Sequence, residues 1–554
     1  MPHHSTDEDG TVLHATAPAG SSWSSINLAE AVPGVMTPLT ASAWVPASET
    51  GLRLPFHAMG VLATDRMQIP ADPAERITNA FFGRMAVRVD FLCEIGDLVP
   101  GQSGEALARD FFGFVPPDHV ARPSLRRVPF ILARYPRSFA GIAHRIEDLR
   151  ARTDAWWRTE VARIDSLDLA SLQRLAAEAD RRFAENLAAQ ALISAAAIQP
   201  VQEQLDKLAD RAGVDASALL RGTPHEENVV LLDLWHVSRG TLPLGEFLRR
   251  HGYHGPGEGE VDTRVWREDP EAVRRIVAQY AVKADSEAPD ARDAEHLAER
   301  QRAEAALMAS LGPVGRQKAR VVLRLARRFI PLRGVGKVSY LQSLDVLRAA
   351  SRRIGAELVA IGRIDGADDA SYLTVAELSD HLLRHRDDLR GVVARRRAQR
   401  EEYQSLRVPS AWTGQPEPLP FVPVADGEVT LLQGLGACPG TVEGRVVVAL
   451  DPSSAEVEDG DILVAHTTDP AWVSLMFLSG ALVVDIGGLM SHAAVVAREL
   501  DIPCVMNTGT GTQVLRDGDL VRVDGRAGTV EVLERANPIQ HPAQHPTQPE
   551  GVTA

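Results

Sequence analysis

Three groups of residues in this chain have the types and spacing to do chemistry. The first lies in DIGGLMSHAAVVARELDIPCV, residues 485–505. An apolar run ends in Gly487-Gly488, a Ser491-His492 pair follows, and a helical pattern begins at once. A Gly-Gly pair permits backbone conformations closed to other residues and lets a ligand come close. Serine is a favoured N-cap, which places His492 on the first helical turn. A helix N-terminus offers unpaired N–H groups and a partial positive charge to an anion. A neutral imidazole is a nucleophile near pH 7. The combination suits a histidine that accepts a phosphoryl group covalently, with Ser491 and the amides of Gly487 and Gly488 beside its oxygens. Taken without its context, the same Ser-His pair would be an ordinary capped helix.

The second group is His254 and Glu258 in GYHGPGEGE (252–260). Such a loop either contacts and deprotonates a substrate hydroxyl or is a structural turn with a hydrogen-bonded histidine. The third is Thr468 and Asp469 in TTDP, placed to orient a phosphoryl group. The cysteines, Cys93, Cys438 and Cys504, match neither a disulfide framework nor a zinc spacing, and Cys504 reads as core. No metal site is expected.

These residues need elements to hold them. Residues 1–20 and 536–554 are polar or Pro/Gln-rich and are expected to be disordered. Residues 21–404 are mainly helical, with apolar residues at three- and four-residue spacing, as in DLASLQRLAAEADRRFAENLAAQALISAAAI (168–198). Residues 405–428 carry five prolines and read as an extended hinge linker. Residues 429–535 change grammar: short β-type runs, then DLVRVDGRAGTVEVL, a hairpin pattern. The expected fold is therefore multidomain, a mainly α-helical region followed by a small α/β domain. The net charge of −15 argues against nucleic-acid or anionic-membrane binding. No apolar run is long enough to span a bilayer and no signal pattern opens the chain, so a cytoplasmic location is expected.

GGLMSHAAVVARELDIP closely resembles the phosphohistidine motif of the swivelling domain in phosphoenolpyruvate-utilising enzymes. GLGACPGTVEGRVVV (434–448), TTDPAWVSLM and DGDLVRVDGRAGTV extend the likeness. Upstream, WSSINLAEAVPGVMTPLTAS (23–42), FFGRMAVRVDFL (81–92), FLRRHGYHGPGEGEVDTRVWREDPEAV (247–273) and IGRIDGADDASYLTVAEL (361–378) resemble the acceptor domain of rifampin phosphotransferases, in the same order. The resemblance implies that residues 429–535 are a swivelling domain phosphorylated on His492 and that 21–404 bind an acceptor. It also implies that Arg333 and Lys337, in LRGVGKVSY, lie where the phosphoryl group is transferred. A pair at i and i+4 shares a helix face, although GVG between them weakens a helix. Asn27 and Glu30 either line the acceptor pocket or cap the first helix.

The resemblance further implies an ATP-grasp domain, for which the residues before Trp23 leave no room. The expectation is that Mg-ATP acts through a separate ATP-grasp protein, that this chain holds no cofactor itself, and that the acceptor is a small organic molecule. No phosphoenolpyruvate-handling barrel, which needs about 250 residues, is expected after the His492 domain. Two other readings are a non-catalytic ligand-sequestering protein derived from the family and a regulatory phosphocarrier.

Overall fold

The computed structural model describes residues 12–536, apart from 30, 33, 113, 223–225, 292, 421–429, 451, 453–454, 456, 469–471 and 489–490. Strand β1 (Ser22–Ser24) leads into α1 (Ile26–Ala29) and α2 (Pro38–Ala58). The Thr37 side chain caps α2, and Pro38 sits in the first turn, where a missing N–H leaves no bond unmade. Strands β2 (Thr78–Phe81) and β3 (Arg84–Arg88) form a hairpin whose second strand pairs with β1.

The helical body follows: α3 (Val128–Phe139), α4 (Ile142–Arg163), and α5 (Leu169–Ile193), which passes through a π-helical turn (Ser194–Ile198) into α6 (Gln199–Ala212). Then come α7 (Glu226–Ser238), α8 (Leu244–His251), α9 (Pro270–Ala281), α10 (Asp293–Ser310) and α11 (Leu332–Ala360). The axis of the body is α11. Its residues from Val338 to Ser351 are buried on every face, the mark of a helix in the middle of a core. The rings of Trp44, Phe183 and Tyr340 pack edge-on, at centroid distances of 4.8, 5.8 and 6.1 Å, and tie α2, α5 and α11 together.

The helix runs unbroken through Gly334 and Gly336, contrary to the expectation that GVG weakens it. Both glycines answer to close packing. A Cβ at 336 would stand 1.7 Å from Gln190 Oε1, and one at 334 would stand 2.9 Å from the Glu226 side chain.

Two boundaries read from composition are corrected. The hinge expected over 405–428 is in part tied to the body. Strand β4 (Leu406–Arg407) pairs with β6 (Leu419–Pro420), and β5 (Ala411–Thr413) pairs with β1. Proline density excludes a helix there, but it does not exclude short edge strands. Residues 421–429 lie outside the described residues. The disorder expected over 1–20 does not hold for 12–20. Leu13 and Ala15 are buried, Gly83 N donates to Leu13 O at 2.7 Å, and Ala15 N donates to Ala80 O at 2.8 Å. Residues 1–11 and the tail 537–554 are outside the described residues.

The C-terminal unit is one sheet in the order β7-β14-β13-β9-β10-β11-β12-β8. Its strands are β7 (Leu431–Gln433), β8 (Leu435–Cys438), β9 (Thr441–Ala449), β10 (Ile462–Ala465), β11 (Ala481–Val484), β12 (Cys504–Met506), β13 (Leu520–Asp524) and β14 (Thr529–Glu534). Neighbours from β9 to β12 are parallel, and β13–β14 is the hairpin that the alternating sequence predicts. Helices α12 (Val473–Met476) and α13 (His492–Leu500) complete it. The unit rests on the body through Tyr280 against Phe477, with ring centroids at 5.3 Å, and through Lys283–Asp459 and Arg221–Asp501 ion pairs, each at 3.1 Å. Among the described residues, no helix is long and apolar enough to cross a membrane.

Helix propensity alone says that Gly→Ala stabilises a helix by about 1 kcal/mol. Gly336→Ala is expected to do the opposite and destabilise by about 1–3 kcal/mol, because the methyl group displaces Gln190. Thermal unfolding checks this; a raised Tm would show that α5 does not approach α11 this closely.

Candidate phosphoryl-transfer site

His492 is the first residue of α13, immediately after its N-cap. Ser491 takes an extended conformation, and its Oγ accepts from Ala494 N at 3.4 Å. Gly487 has φ +146°, and a Cβ there would come within 2.4 Å of the Met506 methyl group. Glycine is therefore required at that position. The Gly488 carbonyl accepts from Ser491 N at 3.0 Å, and the space where its Cβ would lie is open.

The loop that bears His492 leaves the carboxyl end of β11, and Thr468 follows the carboxyl end of β10, where it is buried. Ligands of open α/β sheets bind at such strand ends. Asp469 falls outside the described residues. Two neighbours escaped the sequence reading. The backbone of His466 accepts from Ile486 N at 2.9 Å, and its Nδ1 lies 3.6 Å from Oδ2 of Asp485. Asp485 is buried and also accepts from Thr508 Oγ1 at 2.7 Å and from the amides of Gly511 and Thr512. Burial pushes its carboxyl up, but hydrogen bonds from His466, Thr512 and Thr508 outweigh burial and hold it below the usual range. A signal was present: a polar residue just past an apolar run, twice, on adjacent strands.

The helical body gathers a second set. His254 and Glu258 lie on the turn-rich segment between α8 and α9, and both are buried. His254 Nδ1 is 2.7 Å from Glu258 Oε2, and Lys337 Nζ is 3.0 Å from Glu258 Oε1. Glu258 thus joins two residues chosen from separate motifs. Arg333 lies one turn before Lys337 on α11. Burial alone would raise the Glu258 pKa; the charges of Lys337 and His254 overcome it and bring it down to about 2. Nδ1 of His254 faces the Glu258 carboxylate and donates its N–H there, so Nε2 is the ring nitrogen left for another partner. Asn27 is on α1, and Glu30 lies outside the described residues.

The supports of this set come from α11 and α2. Arg348, fully buried, donates through Nη2 to the carbonyls of Glu258 and Glu260 at 3.1 and 2.9 Å. Asp345 accepts from Arg348 at 3.1 Å, from Arg267 Nε at 2.8 Å and from Trp157 Nε1 at 2.8 Å. Thr37 Oγ1 donates to Glu260 at 2.7 Å, and Thr40 Oγ1 donates to the same oxygen. Sequence reading missed Asp345 and Arg348, although two charges three apart in an otherwise uncharged stretch of helix (338–351) were a visible sign.

Comparison with known proteins follows this division. Residues 457–528 match the family described as PEP-utilising enzyme, mobile domain, and residues 163–334 match the rifampicin phosphotransferase fourth domain. The chain is therefore a helical body followed by a small α/β unit, each matching one of these family models in part. Among individual proteins, a rifampicin phosphotransferase from Streptomyces sp. is 34% identical over 297 residues, which are 52% of this chain and 34% of that protein. An uncharacterised protein of Mycobacterium tuberculosis is 32% identical over 358 residues, 63% of this chain and 36% of its own length. Phosphoenolpyruvate synthase of Aeropyrum pernix is 50% identical over 109 residues, 19% of this chain and 13% of that enzyme. The chain spans about a third of the length of the first two. The resemblance read from the motifs is borne out in both parts of the chain.

The Glu258 cluster sets a pH dependence. Its folded pKa, about 2, lies below the ordinary 4.5. The stabilisation is therefore complete above about pH 4.5 and is lost as pH falls through about 2. Glu258→Gln leaves His254 and Lys337 without their counter-charge and is expected to cost about 3–5 kcal/mol at pH 7. Urea unfolding of both proteins from pH 7 to pH 3 checks this. The gap should narrow only below about pH 4.5; a gap independent of pH would mean that Glu258 acts by packing alone.

Proposed function

We propose that this chain is a phosphotransferase component that carries a phosphoryl group on His492 to a small organic acceptor bound at the helical body. Mg-ATP enters through a separate ATP-grasp protein. The observation that carries this reading is the Gly487-Gly488 turn, closed by an N-capped helix, with His492 opening that helix at the carboxyl edge of a parallel sheet.

In the first half-reaction a ring nitrogen of His492 bonds to phosphorus as the bond to the nucleotide oxygen breaks. Ser491 and the amides of Gly487 and Gly488 steady the phosphoryl oxygens, with Thr468 at the next strand end and Asp469 next to it in sequence. In the second, the acceptor hydroxyl oxygen bonds to phosphorus, the N–P bond breaks, and the hydroxyl proton passes to Nε2 of His254. Lys337 and Arg333 offset charge on the group in transit. Transfer between two bodies requires the Tyr280–Phe477 and Lys283–Asp459 contacts to break and re-form.

The test mixes the chain with labelled Mg-ATP and an ATP-grasp protein. Label on the chain is expected to be acid-labile and alkali-stable, to vanish in His492→Ala, and to be absent when the ATP-grasp protein is left out. Lys337→Ala and His254→Ala are expected to keep the label but to slow its transfer to acceptor by about 10²–10⁴-fold. Label retained in His492→Ala would sink the assignment. Rapid labelling by ATP alone would place a nucleotide site within this chain.

A further inference from the structure

Residues 119–146 carry six arginines and no carboxylate, in a chain whose net charge is −15. This segment holds α3, which has no buried residue. Ile131, Tyr135 and Phe139 pack on the core, but four other large apolar side chains of the segment face outward: Leu125 is 75% exposed, Leu132 72%, Val120 68% and Phe130 50%. The arginines are not neutralised. Arg127, Arg134, Arg137 and Arg145 donate to backbone carbonyls, and among the described residues none of the six forms an ion pair with a carboxylate. An uncovered apolar surface bearing unpaired cations marks a contact site.

A face of opposite charge occurs on the same chain. Residues 284–299 contain six carboxylates and one arginine. Asp290, Asp293 and Glu295 are exposed and have no cation partner among the described residues. Val282, 87% exposed, and Leu297, 42% exposed, flank them. Because both faces are open in one chain, they do not cover each other within it.

We infer that the basic apolar face at 119–139 binds the acidic apolar face at 282–297 of a second copy of this chain. Both charge and apolar character are complementary, and the partner's surface is known because it is the chain's own. An anionic lipid surface would meet the same arginines, but the rest of the chain is strongly acidic and would be repelled from it. Two different patches meeting make a head-to-tail contact, not a self-matched one.

Sedimentation velocity of the full chain tests this. Self-association is expected at about 0.05 M salt and is expected to weaken at least tenfold at about 1 M, where charges are screened. Arg122→Glu/Arg126→Glu and Asp290→Lys/Glu295→Lys should each be monomeric alone. Mixed, they should associate, since one keeps the native acidic face and the other the native basic face. All four positions are exposed, so circular dichroism should match that of the unaltered chain. Should a variant misfold, the salt dependence of the unaltered chain decides alone. A chain that stays monomeric at low salt, or a mixture that stays monomeric, overturns the inference. Flotation of a monomeric chain with phosphatidylserine vesicles would overturn it too and give the arginine face to lipid.

Discussion

One buried guanidinium holds the loop that carries His254 and Glu258 in place. Arg348 lies in the middle of the central helix and spends two hydrogen bonds on the backbone of a loop far away in sequence, at Glu258 and Glu260. It can be charged there because Asp345, three residues before it, is buried beside it. Asp345 in turn draws in Arg267 and Trp157. Isolated charges at such depth would cost several kcal/mol each, and this set is tolerable only because nearly every donor meets an acceptor. Losing any one member leaves the others buried and unpaired, so the loop and the helix stand or fall together.

That constraint fixes the chemistry above it. The loop is gripped from three directions: Arg348 takes its carbonyls, Thr37 and Thr40 take the Glu260 carboxylate, and Trp44 donates to Gly259 O at 2.8 Å. Gly259 is needed for this approach, since a Cβ there would stand 1.9 Å from the Ala31 carbonyl oxygen. With the backbone held, Glu258 can point one oxygen at His254 and the other at Lys337. A base and a cation are thereby locked to one carboxylate and to each other. A site arranged in this way needs little reorganisation as charge moves, which is the usual source of electrostatic catalysis.

The C-terminal unit solves a different problem. In the proposed function its loop must stay in shape while the unit changes partners. Gly487 allows the turn, Ser491 caps the helix, and the buried Asp485 fastens the loop's root to Thr508, Gly511 and Thr512. These bonds are all internal to the unit. Its contacts with the body are of two kinds: a buried apolar cluster in which Trp235, Phe247 and Tyr280 of the body meet Trp472, Leu475 and Met476 of the unit, and ion pairs in which Asp459 and Asp501 face solvent. Surface ion pairs contribute at most about 1 kcal/mol each, so the apolar cluster, not the ion pairs, carries most of the docking.

Much of this was legible in the sequence because the information is local. The Gly-Gly turn, the Ser491 cap, the β13–β14 hairpin and the change from helical to β grammar near residue 430 depend on neighbours within a few positions, so residue type and spacing determine them. The order of the motifs likewise gave the two-part plan. What only the tertiary structure decided is long-range. Composition took 405–428 for a free spacer, but β5 finds its partner in β1, nearly four hundred residues away. GVG looked like a flaw in a helix until Gln190 and Glu226 were found against it. Lys337 was a candidate apart from the His254–Glu258 pair, and nothing in the spacing says that the Glu258 carboxylate joins it to them. A buried charge is stable only beside its partner, and a chain's one-dimensional order does not record which distant residue that partner is.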